Sequence, residues 1–444
     1  MKSTNQHLKP LSLKINKNLE IGGCDVVELA EKYGTPLYVL DEHTIRSICR
    51  DYKEAFKAYD KVNMMYASKA LCTMATSKLL ASEGFGFDVV SAGEIYTVYK
   101  SGADMSKVLF NGNNKSYDEL SLAIELGVGR ISADNFFELA LLNEAAKAQN
   151  KTVDILLRIT PGIECHTHEY IQTGHLDSKF GFDLTQIDEA VELIKNDYTN
   201  LKLHGLHAHI GSQIFETSIY GDEIEILVKE IARLNRKYFS ETQVAGQAAT
   251  LAEINIGGGI GVKYTENDCP PSVYDVAEII ITRLNECIEK YNIEPPALFI
   301  EPGRSIISTA GVTLYTVGSS KQVPNGRKYV AVDGGMSDNV RPSMYQAEYT
   351  AQVANKPEAE NLEKVTIAGR FCESGDILIK DVELPELEEG DILCVYNTGA
   401  YNYSMASNYN RVPKPAMVLV NNSKSCIIVN RETLDDLISH DRLN

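Results

Sequence analysis

Five short stretches of this chain carry side chains whose types and spacing could do chemistry. "YASKA" ends an apolar run with Lys69 between small residues. "HAHIGSQ" holds His209, and "INIGGGIG" ends in a glycine loop at 257–261. "EPGRS" holds Glu301 and Arg304, and "FCESGD" holds Cys372 and Glu373. Lysine is seldom buried without cause. In a desolvated site its amine gives up its proton more readily and can form a Schiff base with a carbonyl. On "SKA" alone, a surface lysine with its stem along apolar neighbours is the ordinary reading. Glycines let backbone N–H groups approach an anion closely, so "GGGIG" suggests a phosphate, although alone it could equally be a tight turn. It is not a Walker loop, and it lacks the setting of a dinucleotide fingerprint.

The elements that must position these residues follow a regular rhythm. Short apolar runs are each followed by a segment with helical spacing. The runs are "VNMMYA" (62–67), "FDVV" (87–90), "VLF" (108–110), "RIS" (130–132), "VDILLRI" (153–159), "LHGLHAH" (203–209), "AEINI" (252–256) and "ALFIE" (297–301). That repetition over roughly 250 residues predicts a (β/α)8 TIM-like barrel, with an open doubly wound sheet as the alternative. Beyond about residue 310 the helices drop out. "GVTLYTVG", "KYVAVDGG", "KVTIAG", "DILCVYNTG", "AMVLVNN" and "SCIIVN" predict a mostly antiparallel β domain. The early segments "PLSLKIN" and "TPLYVLD" have strand character and are expected to join it. The expected division is an N-terminal segment at 1–45, a barrel at 46–308 and a β domain at 309–444.

In such a barrel the chemistry sits at the C-terminal ends of the strands. The residues at and just beyond the ends of the eight runs are, in order, Lys69, Asp88, "NGNNK" at 111–115, Asp134, Arg158, His209 with "IGSQ", the glycine loop, and "EPGR". A lysine for a carbonyl, a phosphate loop and an acid to face a ring nitrogen are the parts of a pyridoxal phosphate site. Glu301 would keep the ring nitrogen protonated. The glycine loop and "EPGR" fall after strands seven and eight, where barrels often hold a phosphate.

The composition limits the alternatives. A net charge of −18 argues against nucleic-acid binding and against a polybasic membrane patch. The N-terminus shows no apolar signal region, and no apolar run is long enough to span a bilayer. The nine scattered cysteines, without CxxC pairs, read as reduced thiols of a cytoplasmic protein. The histidines at 166, 168, 204, 207 and 209 form no open ligand set, so no metal is expected. The loop 163–181 has the composition of a lid.

The motifs "YASKA", "GFDVVSAGE", "FNGNNKS", "HEYIQTGHLDSKFGF", "GLHAHIGSQI", "INIGGGIG", "EPGRS", "DGGMSDNVRPSMY", "CESGD" and "TGAYNYSMASNYN" span almost the whole chain in order. Together they resemble the barrel-type pyridoxal-phosphate decarboxylases of basic amino acids, which share the alanine-racemase-like fold. The resemblance implies a Schiff-base role for Lys69 and ring stacking by His209. It implies phosphate contacts from Ser212, Gly258 and Gly259, from the backbone around Gly303 and Arg304, and from Tyr401, which also meets substrate. Glu301 would meet the pyridine nitrogen. Arg304, Arg341 and Tyr345 would hold a distal carboxylate. Cys372 would donate a proton and Glu373 would meet the distal amine, both reaching into the partner's site in a homodimer. The small-molecule substrate so implied is meso-2,6-diaminopimelate, decarboxylated at its D-centre to L-lysine in the last step of lysine biosynthesis.

Three other readings compete. D-lysine, D-ornithine or L-arginine would leave the arginines without an anion to hold. A racemase would be expected to place arginine at the ring nitrogen, not Glu301. A non-catalytic cofactor-binding homologue would be expected to lose Lys69, Cys372 or Glu301. The departures from the family are Ala208 for a frequent cysteine, Arg370 and Phe371 where smaller or apolar residues are common, and Met417 in place of an acid.

Overall fold

The computed structural model describes residues 3–163, 178–239 and 250–443. The chain divides into two compact units. One comprises Cys49–Gly261 and Pro270–Gly303, and the other comprises the chain up to Ile48, Val262–Cys269 and the chain from Arg304 onward. The lid expected at 163–181 falls, over 164–177, outside the described residues, as do His166 and His168.

The first unit is the expected barrel. Its strands are β1 (Val62–Ala67), β2 (Gly86–Val89), β3 (Val108–Phe110), β4 (Arg130–Ala133), β5 (Val153–Thr160), β6 (Leu201–His207), β7 (Glu253–Asn255) and β8 (Ala297–Ile300). All pair in parallel in this order, and β8 pairs back onto β1 through Leu298–Val62, which closes the sheet. The runs read from sequence lie within about two residues of these strands. Helices α1 (Met74–Ser82), α2 (Ala92–Lys100), α3 (Tyr117–Leu126), α4 (Phe136–Ala148), α5 (Ile187–Asn196), α6 (Ser218–Leu234) and α7 (Val273–Tyr291) come after the first seven strands in turn. Side-chain oxygens of Ser91, Ser116, Asn135 and Ser272 accept the third N–H of α2, α3, α4 and α7, fixing where each mouth loop ends. Met65, Leu109, Leu156 and Phe299 fill part of the interior as one packed cluster.

Two local features hold the barrel wall together. The buried Lys115 ammonium donates to Glu138 at 2.7 Å and to the Gly112 and Ser132 carbonyls at 2.7 and 2.8 Å, tying β3 to β4. At Gly205, where the β6 register shifts, β6 passes so close to β7 that a Cβ would stand 1.8 Å from the Glu253 carbonyl oxygen.

The second unit is a mixed, mostly antiparallel sheet. Its order is Ile377–Pro385, Leu362–Ala368, Lys328–Val332, Gly311–Gln322, Leu37–Asp41, Ala416–Asn421, Lys424–Val429. The early strand Leu37–Asp41 sits inside the sheet, antiparallel to Gly311–Gln322 and parallel to Ala416–Asn421. Within that sheet, two strands were not legible in the sequence. Ala351–Val353 is very short, and Ile377–Pro385 is broken by charged Lys380 and by Asp381 at a φ of 50°. Among the described residues no helix is long and apolar enough to cross a membrane.

Gly205→Ala is expected to destabilise the protein by about 1–3 kcal/mol, because neither backbone can yield without breaking the ladder. Denaturant unfolding checks this, and an unchanged midpoint would contradict the close β6–β7 approach.

Candidate active site

The barrel mouth is organised around Glu301, which lies just beyond β8 and is 6% exposed. Its Oε1 accepts a hydrogen bond from Asn255 Nδ2 at 2.7 Å and from Asn111 Nδ2 at 3.1 Å. Its Oε2 lies 3.6 Å from His207 Nε2, beyond a hydrogen bond but close enough for charge to matter. His207 is fixed in turn by Ser132 Oγ at 2.8 Å from Nδ1. Burial works against ionisation of Glu301, but the His207 and His209 imidazoles and the Asn255 amide outweigh it and hold the carboxyl well below the usual range. Two amide N–H groups aimed at one oxygen favour the anion in the same direction.

Two other buried carboxyls go the opposite way. Asp88, at the end of β2, accepts from Asn111 Nδ2 at 2.6 Å. Burial first and the Glu301 charge second push its acid form up to about 8, against Lys69 and Asn111. Glu223 on α6 is fully buried, and neither of its oxygens has a hydrogen-bond partner among the described residues. Burial and then Glu301 raise it well above the ordinary value. Of these three carboxyls, Glu301 is the one held in its anionic form.

The glycine loop packs against the Glu301 backbone, His209 and Gly211. A Cβ at Gly257 would lie 2.4 Å from His209 Nδ1, at Gly258 2.1 Å from the Glu301 carbonyl oxygen, and at Gly259 2.5 Å from the Gly211 carbonyl oxygen. Gly257 and Gly259 also have φ of 62° and 98°, which favour glycine. The Gly258 N–H donates to His209 Nδ1 at 3.3 Å, and Tyr220 Oη donates to the Gly258 carbonyl at 3.2 Å. Ile214 and Gly259 hydrogen-bond at 2.9 Å, bringing the loop that carries Ser212 alongside. Gly303 abuts Ala67, which precedes the Lys69 turn, and Ala67 N–H donates to the Pro302 carbonyl at 3.1 Å. Lys69 itself is exposed in the turn Ser68–Ala70, so burial is not what sets it apart, contrary to the sequence expectation. These residues fit pyridoxal phosphate: an ionised carboxylate for its ring nitrogen, a solvent-facing amine for its aldehyde, and a bare glycine loop for its phosphate.

The second unit carries the remaining candidates. Arg304 and Arg341 are both buried, 7% and 8% exposed. Their guanidinium carbons lie 4.7 and 5.6 Å from the Tyr401 ring centroid, and Arg341 is 5.5 Å from that of Tyr345. Tyr401 has a φ of 63°, a strained backbone for a bulky residue. Cys372 and Glu373 are exposed on another turn, where Glu373 accepts from Tyr409. That turn is pinned by Asp376, which accepts from the N–H groups of Met336 and Phe371 at 2.7 and 2.8 Å.

The sequence places Asp88 and Asn111 at the mouth without giving them work and raises His207 only as a metal candidate, and Asn255 goes unremarked. The available signal was period: Asn255 is a polar residue in an apolar strand, and His207 precedes His209 by the strand repeat of two.

A family model, "Pyridoxal-dependent decarboxylase, pyridoxal binding domain", matches residues 42–308. Diaminopimelate decarboxylase of Bacillus subtilis is 48% identical over 427 residues, covering 96% of this chain and 95% of its own. The enzyme of that name from Synechocystis is 49% identical, covering 99% and 94%. The crystal structure of diaminopimelate decarboxylase from M. jannaschii in co-complex with L-lysine superposes with a TM-score of 0.91 at 35% identity, over 99% of both chains.

The carboxyl of Asp88 supplies a pH test. Its folded value of about 8 exceeds the unfolded value of about 4, so its stabilising share is full below about pH 4 and is lost as pH rises through about 8. Asp88→Asn is expected to lose less stability than the parent between pH 5 and 8. Parallel urea-stability profiles for the cofactor-free proteins would contradict the assignment.

Proposed function

The chain belongs to the diaminopimelate decarboxylases, and on that premise we propose how its residues divide the conversion of meso-2,6-diaminopimelate to L-lysine and CO2. When bound, pyridoxal phosphate supplies an aldehyde for an amine and a ring that takes up the electron pair released as the bond to CO2 breaks. Lys69 would hold that aldehyde through its amine. Glu301 keeps a proton on the ring nitrogen, and its amide-bonded, buried carboxylate is the observation that carries this reading. His209 would face the ring. Ser212, Gly258, Gly259 and the backbone at Gly303 and Arg304 hold the phosphate, with Tyr401.

Arg304, Arg341 and Tyr345 receive the distal carboxylate of the substrate. Arg341 supports this role, since among the described residues it is a buried cation with phenol and ring neighbours and no ion pair. Burial works against its charge, and the Tyr264 and Tyr349 oxygens outweigh it and hold it charged. A monocarboxylate such as D-lysine would leave that charge unanswered. Cys372 returns a proton to the carbon that loses CO2, and Glu373 binds the distal amine. Their exposure on one turn suits residues that serve a partner's site, so the proposal includes a homodimer with shared sites, working in the cytoplasm.

Lys69→Ala is expected to abolish turnover and the visible absorbance of the bound cofactor, and normal turnover would refute the assignment. Cys372→Ala is expected to cut turnover with the cofactor retained. Mixing the two inactive proteins under proven subunit exchange should restore part of the activity, and no recovery would count against shared sites.

A further inference from the structure

The His207 nitrogen that faces Glu301 is controlled from the other side of its ring. Ser132 on β4 is 1% exposed, and so is His207 on β6. Ser132 Oγ lies 2.8 Å from His207 Nδ1, and among the described residues this hydroxyl has no other hydrogen-bond partner. The Ser132 carbonyl is taken separately by the Lys115 ammonium at 2.8 Å, which anchors the residue's backbone. Across the imidazole, Nε2 is buried without a hydrogen-bond partner and stands 3.6 Å from Glu301 Oε2. Asn255 and Asn111 both address Glu301 Oε1, whereas the His207 nitrogen faces Oε2.

A neutral imidazole carries one N–H and one lone pair, and the partner of one nitrogen decides the state of the other. If Nδ1 held the proton, it would donate to Ser132 Oγ. The hydroxyl hydrogen would then have no acceptor in a buried place, and the Nε2 lone pair would face a carboxylate. A doubly protonated ring would strand the hydroxyl in the same way. If the hydroxyl donates to Nδ1, its hydrogen is satisfied, and the ring proton sits on Nε2 and points at Glu301. A buried donor left unmade is the costlier state, so the last arrangement prevails. Burial is the first influence on His207 and pushes its imidazole down, in keeping with a neutral ring. Resting on the reading that Glu301 meets the ring nitrogen of the cofactor, we propose that Ser132 is a positioning residue for the reaction: it donates to Nδ1, fixes His207 as the Nε2–H tautomer, and so presents an N–H to the carboxylate that must stay an anion.

The first measurement needs no variant of Ser132. Long-range nitrogen–proton NMR spectra of the histidine rings in the holoenzyme distinguish the tautomers, with His207 identified by the signal lost in His207→Gln. The Nε2–H form is expected, and the Nδ1–H form or a doubly protonated ring overturns the proposal. Ser132→Ala then removes the hydroxyl with little change of shape. It is expected to turn the single His207 tautomer into a mixture. It is also expected to lower kcat about tenfold, with KM for meso-diaminopimelate within about twofold and the cofactor retained. An unchanged tautomer or an unchanged kcat refutes the role of Ser132. Ser132→Cys, a weaker donor, is expected to fall between the two, which keeps the proposal testable if the alanine variant does not fold. Glu301→Gln separates the two levels. If it leaves kcat intact, the reading of Glu301 falls, and the proposal with it. If it loses activity while Ser132→Ala does not, the role of Ser132 alone is refuted.

Discussion

The buried carboxylate of Glu301 constrains the barrel unit. A carboxylate at 6% exposure costs free energy unless donors surround it. Here the donors come from two strands, Asn111 after β3 and Asn255 on β7, and the His207 imidazole on β6, itself fixed by Ser132 on β4, stands 3.6 Å away. The closure of the sheet is what brings these positions together. Burial pushes the nearby Asp88 and Glu223 carboxyls up while Glu301 is held down, so these three neighbours are set apart in their charge. That is the electrostatic state a decarboxylase needs, since a ring nitrogen beside a lasting anion stays protonated and withdraws electrons.

The second unit solves the opposite problem. It buries two cations, Arg304 and Arg341, and sets phenol oxygens and aromatic faces against both. The two units therefore use complementary arrangements: an anion stabilised by amides and imidazoles, and cations stabilised by tyrosines. On the proposed reading, the anion answers the ring N–H and the cations answer a substrate carboxylate.

Much of this was legible in the sequence, and the gaps have physical reasons. The barrel strands were readable because β-branched, apolar runs such as "VDILLRI" are buried on both faces and carry a strong local signal. Lys69, His209 and Glu301 could be placed because they stand at strand ends in a fold whose chemistry always faces that way. Asn255 could not be assigned, because an asparagine within a strand carries no local sign that its amide meets a residue from the next strand. Tyr264 was hidden for a topological reason. The chain leaves the barrel unit at Val262 and returns at Pro270, and nothing in the βα rhythm marks that excursion. The strand Ile377–Pro385 was missed because Asp381 interrupts its alternation with a positive φ.

The most direct measurement is the turnover of Glu301→Gln with its cofactor content determined in the same sample. Glutamine keeps the shape and can still meet one amide donor, but it cannot carry the charge. The account predicts that the cofactor stays bound while kcat falls by about a hundredfold or more. A variant with full cofactor and a kcat within about threefold of the parent would contradict the claim that this buried carboxylate drives the reaction.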